Sequence, residues 1–130
     1  MKTLIAKAGY WWWLGWLWCG VILVLALMPA PEIPGAHFSD KLMHAAAFAC
    51  LAAWFGALLK RRRWWLEALG LILFGITIEC LQAIVGRDPQ VLDVVADAVG
   101  VGLGLLLLRP LAVAGLIYIE TRVRRPAKEY

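Results

Sequence analysis

Residues 10–28 run for nineteen positions without a charge. At about 1.5 Å per residue such a helix is long enough for the ~30 Å hydrocarbon core of a bilayer. Inside lipid a backbone has no water to bond, so a spanning segment must satisfy its own N–H and C=O groups as a helix does. Further apolar runs follow at 41–59, 64–85 and 91–108, separated by short polar or proline-rich breaks. The chain is 63% hydrophobic, well above the ~45–50% of soluble domains. A soluble domain of 130 residues has too little interior to hide that much apolar surface. The pattern predicts an all-α polytopic membrane protein, one domain over residues 1–130, with four transmembrane helices.

The breaks have their own chemistry. Pro29, Pro31, Pro34 and Gly35 forbid a regular helix between the first two spans, and Ser39 and Asp40 supply an N-cap signal for the second. Lys60, Arg61, Arg62 and Arg63 make a tight basic turn, and residues 86–90 a short polar one. Arg109 and Pro110 interrupt the fourth run. The apolar stretch 111–119 that follows covers only about 13 Å as a helix and cannot cross alone. It is either a continuation of the fourth helix or an interfacial helix. Lys2 and Lys7 before the first span raise the possibility of a signal peptide, but no small-x-small cleavage pattern follows, so a retained span is expected. Cys19, Cys50 and Cys80 are scattered through apolar runs and form no disulfide framework.

The net charge of +4 is distributed as a topology signal. An even number of spans places both termini on one side. Lys2, Lys7, the four basic residues of the second turn, Arg109, Arg122, Arg124, Arg125 and Lys128 then share that side, while Lys41 and Arg87 are alone on the other. The positive-inside rule makes both termini cytoplasmic. The same distribution argues against nucleic-acid binding, because the basic residues sit at the ends of apolar segments. Trp11, Trp12, Trp13, Trp64 and Trp65 fall at the inner ends and are expected to anchor in the interface as an aromatic belt.

His44, Glu79, Asp93 and Asp97 lie inside the spans, with Asp40 at the edge of one. Charge in hydrocarbon costs several kcal/mol by most estimates, so such residues are functional candidates. Topology brings them to the outer half of the bilayer. Asp40 and His44 are four apart and share a helix face, as do Asp93 and Asp97, while Glu79 and Gln82 are three apart. Ala96, Gly100 and Gly104 continue the aspartate stripe and allow close approach of another helix, within the chain or in a homo-oligomer. The outer acids Glu32, Asp40, Glu79, Asp88, Asp93 and Asp97 outnumber Lys41 and Arg87 by four charges, so an anionic ligand would need those two cations, protons or a divalent cation to enter.

The candidate binding set is therefore Asp40, Lys41, His44, Glu79, Gln82, Arg87, Asp93 and Asp97, with His44, Glu79, Asp93 and Asp97 the candidates for chemistry. In one reading they line an outward-facing pocket for a lipid-linked or amphiphilic envelope molecule, with Glu79 as proton carrier and Arg87 as anion clamp. In a second they order the bundle of a scaffold or accessory subunit. In a third they belong to an ion or proton pathway, against which stands the lack of an inverted repeat or a broken span. His44, Glu79, Asp93 and Asp97 also form a candidate set for a divalent cation, and one histidine among carboxylates suits Mg or Mn better than structural zinc. Ser39, the only serine, is read as a cap rather than a nucleophile.

In order, Asp40-Lys41-x-x-His44, Glu79-x-x-Gln82, Arg87 and Asp93-x-x-x-Asp97-x-x-Gly100 resemble the pattern of the VanZ-like family of small bacterial membrane proteins, over roughly residues 15–108. The chain departs from that pattern at Asp97, where family members often carry Asn, and at Phe48, near which a Tyr is usual. The family is named for a member that confers low-level teicoplanin resistance. The resemblance implies a multi-pass protein of the bacterial cytoplasmic membrane with a role in the cell envelope.

Overall fold

The computed structural model describes residues 9–29, 34–35 and 37–124. Lys2, Lys7, Pro31, Glu32, Arg125 and Lys128 lie outside the described residues. Every regular element among the described residues is helical: α1 Gly9–Leu27, α2 His37–Leu58, a short 3₁₀ turn Arg61–Arg63 leading into α3 Trp64–Ile84, α4 Val91–Leu103, a π-helical segment Gly104–Leu108, and α5 Arg109–Val123.

Among the described residues, four helical stretches are long and apolar enough to cross a membrane, namely Gly9–Leu27, Ser39–Leu58, Arg61–Ile84 and Val91–Val123. The chain is thus a four-span, all-helical membrane protein. One element boundary differs from expectation, and one open alternative is resolved. α2 begins at His37, so Ser39 and Asp40 lie in its first turn rather than before it. A carboxylate there still meets the positive end of the helix dipole. The stretch 111–119 belongs to the continuous helix Val91–Val123, which is about 50 Å long and outruns a ~30 Å core. The helix passes Arg109 and Pro110 by widening first. Pro110 has no N–H for the carbonyl four residues earlier, and the π-helical turn Gly104–Leu108 comes just before it.

α2 is the central helix and touches all the others. Phe48, Leu51 and Ala52 on it are almost wholly enclosed, and seven alanines between Ala45 and Ala57 keep it slim. α4 lies against this slim face. A Cβ at Gly100 would stand 2.2 Å from the Ala45 carbonyl oxygen, and one at Gly104 2.2 Å from that of Ala49. The small-residue stripe is therefore spent inside the chain, on α2. α1 buries a narrow line, Trp11, Gly15 and Cys19, spaced four apart to stay on one face. Gly15 admits the Phe55 ring, which a Cβ would meet at 2.6 Å. The other faces of α1, including Trp13, Trp16 and Leu17, are exposed as a lipid-facing surface must be. All three cysteines are free.

Candidate functional site

The close α2–α4 packing brings two polar helix starts together. Lys41 and His44 come from the first two turns of α2, Asp93 and Asp97 from the first two turns of α4. The Lys41 ammonium lies 2.9 Å from Asp93 Oδ1 and donates to Gln90 Oε1 at 2.8 Å. One turn deeper, His44 Nδ1 stands 2.9 Å from Asp97 Oδ1. With the carboxylate as acceptor, Nδ1 carries the hydrogen, and in the neutral ring Nε2 keeps its lone pair. That nitrogen faces Asp93 Oδ2 at 3.8 Å, beyond hydrogen-bond range.

Glu79 joins from the far end of α3. Its Oε2 accepts the backbone N–H of Gln90 at 2.8 Å, just where α4 begins, while Oε1 is buried without a partner. Asp97 is fully enclosed, and its Oδ2 also lacks a partner. Gly75 on α3 makes the room, since a Cβ there would lie 2.5 Å from that oxygen. Two buried acceptors at one helix-bundle end are the notable feature, since buried polar atoms are nearly always bonded.

The eight candidates from sequence divide. Lys41, His44, Glu79, Asp93 and Asp97 converge as described, and Asp40 joins them through its own ligand geometry: one donor atom each of Asp40, His44 and Asp93 lies within 4.8 Å of the other two. Gln82 and Arg87 do something else. Gln82 Nε2 donates to the Ala26 carbonyl at 2.9 Å, and Arg87 Nη1 donates to the same oxygen at 2.5 Å and to that of Met28 at 3.3 Å. The last carbonyls of a helix have no partners within it, so these two side chains close the end of α1. The candidate cation-binding group also differs from the one read in the sequence: it comprises Asp40, His44 and Asp93, with Asp97 bonded to the imidazole and Glu79 to the Gln90 amide.

Gln90 was missed, although it ties Lys41 to Glu79, because a single glutamine beside Pro89 carries no pattern of its own. Two acids at the opposite end of the bundle were missed as well. Glu67, three residues into the third apolar run, is buried with neither carboxylate oxygen bonded. It lies against Gly56, where Arg109 also sits: Arg109 Nε donates to the Gly56 carbonyl at 2.6 Å and the guanidinium stacks on Trp64 at 4.6 Å. Glu120 on α5 receives Tyr10 Oη, Trp11 Nε1 at 3.3 Å and Arg124 Nε at 2.6 Å. A charge three residues inside an apolar run was the available signal for Glu67. Trp11 is accordingly no interface anchor but a buried donor that fastens α1 to α5, and Trp64 serves as a platform for Arg109 and Arg61, whereas Trp13 and Trp65 are widely exposed.

The two polar ends are separated by a dry layer of Phe48, Leu51, Ile78 and Val101, each no more than 2% exposed. The four side chains of this layer are apolar and carry no polar group between the two ends.

Compared with known proteins, the chain matches the family described as VanZ/LLP1 over residues 6–115, and it belongs to that family. No curated protein and no solved structure gives a significant match.

Proposed function

We propose that this VanZ/LLP1-family membrane protein works in the bacterial cytoplasmic membrane, both termini inside, and binds the polar headgroup of a lipid-linked or amphiphilic envelope molecule at the α2–α4 end, in the outer leaflet. The observation that carries this reading is the surplus of acceptors there. Glu79 Oε1 and Asp97 Oδ2 have no donor among the described residues, yet leaving a buried acceptor unsatisfied costs about 1–3 kcal/mol. A group kept at that cost is more readily understood as serving a ligand than as serving the fold. Acceptors of this kind suit a donor-rich headgroup, with sugar hydroxyls or ammonium groups, and the family's link to teicoplanin resistance points to glycopeptide or cell-wall chemistry. Arg87, spent on the end of α1, is not the anion clamp in this reading; Lys41 is the nearer cation.

The pairing of Lys41 with Asp93 and of His44 with Asp97 favours a second reading, in which the cluster only orders the bundle of a scaffold or accessory subunit. The two are separated by expressing wild type, His44→Ala and Glu79→Gln in a susceptible host and measuring the inhibitory concentration of teicoplanin. Wild type should raise it several-fold. Variants that reach the membrane in equal amount should lose most of that gain. Equal resistance from all three chains at equal membrane levels, or no gain from wild type, would sink the headgroup reading.

A further inference from the structure

We propose that Asp40, His44 and Asp93 bind one divalent cation of the Mn²⁺ type at the α2–α4 end. Their donor atoms already lie within 4.8 Å of one another. Ligands at ~2.2 Å from one ion lie about 3–4.4 Å apart, so side-chain shifts of about 1 Å would seat these donors on one ion, and His44 Nε2 and Asp93 Oδ2, 3.8 Å apart, are already within that range. Asp40 and His44 stand one turn apart on α2, and Asp93 faces them from α4.

Three further observations concern the surroundings. His44 turns Nδ1 to Asp97 and Nε2 towards Asp93. A metal-binding histidine characteristically gives its other ring N–H to a carboxylate, which sets the tautomer and holds the ring. Asp97, enclosed and off the ligand set, is placed as such an orienting residue. Asp93 divides its carboxylate, with Oδ1 on Lys41 and Oδ2 towards His44, so one oxygen is free of the lysine. Glu79 is more than nine-tenths buried, its Oε1 has no partner, and the charged groups acting on it are His44, Asp93 and Asp97. Four carboxylates therefore meet one lysine and one histidine within apolar helices, and a divalent ion supplies the missing positive charge. One imidazole with carboxylates suits Mn²⁺ rather than a thiolate-type zinc site. Three protein ligands leave coordination positions open. An ion there would bridge a phosphate or hydroxyl of the headgroup, a step that rests on the proposed function, whereas the ion site itself does not.

The rival arrangement is a protonated His44 shared by Asp93 and Asp97, with no metal. Purified protein in lipid nanodiscs is stripped with EDTA and titrated with Mn²⁺ alone, following free and bound ion by electron paramagnetic resonance. About one ion per chain is expected to bind saturably, with an altered Mn²⁺ spectrum. Asp97→Asn should weaken binding about 10–100-fold. Asp40→Asn, a change in the first turn of α2, should weaken it at least tenfold while helicity and melting stay as in wild type. Saturable binding that Asp40→Asn leaves unchanged, or no saturable binding by wild type, overturns the site. No antibiotic is involved, so a chain that binds Mn²⁺ but confers no resistance keeps the site and loses the headgroup reading, and the converse result does the opposite.

Discussion

At the α2–α4 end, Asp97 is sealed from solvent and gives one oxygen to His44 at 2.9 Å, while Asp93 beside it holds Lys41. At the opposite end, Glu67 is 7% exposed and neither of its oxygens is bonded, although Arg109 sits at the same glycine. The guanidinium has turned to the Gly56 carbonyl and the Trp64 ring instead. Burial is similar at the two places, but partnership is not. The first end couples charges across two helices that Gly100 and Gly104 let touch. The second holds an acid with no bonded partner against a helix backbone. Glu120 shows that this is no general property of that end, since it is fully engaged by Tyr10, Trp11 and Arg124. A buried carboxylate in this fold is thus read by its partners rather than by its depth.

The largest expected effect tests whether Arg109 offsets Glu67 at a distance. Arg109→Met should lower unfolding stability by about 2–3 kcal/mol, because the Gly56 carbonyl loses a charged donor, the Trp64 ring its cation and Glu67 a nearby cation. Adding Glu67→Gln should restore the part that comes from Glu67. A double variant no more stable than the single one would show that Arg109 acts only through Gly56 and Trp64. Next comes Asp97→Ala, unfolded in the presence of EDTA. Removing one partner of a buried bond should cost about 1–3 kcal/mol, and a melt indistinguishable from wild type would erase the contrast between the ends. The smallest effect belongs to Glu67→Gln alone, which removes charge and nearly keeps shape. It should leave stability within about 0.5 kcal/mol or raise it, since the buried carboxyl makes no bond that the amide would lose. A clear fall would mean that Glu67 has an ionised partner after all.

Much of the fold was legible because its causes are local. Nineteen uncharged residues imply a span wherever they occur, and the four-residue spacings of Asp40 with His44 and Asp93 with Asp97 share a face on any α-helix. The convergence of Lys41, His44, Glu79, Asp93 and Asp97 followed from counting spans. The division of the eight candidates did not. Gln82 and Arg87 read like the other polar residues near a helix end, and only the position of α1 gives them the Ala26 carbonyl.

What the sequence by itself determined is the class of protein and the height of each polar group along its helix. Hydropathy and the 3.6-residue repeat act within one segment and need no neighbour. What only the tertiary structure decided is which faces meet. That choice depends on close approach at Gly100 and Gly104 against Ala45 and Ala49, a match of surfaces many residues apart. It sets Asp93 beside the face that Asp40 and His44 share, turns Trp11 from an interface residue into a buried donor, and leaves Glu67 without a bond.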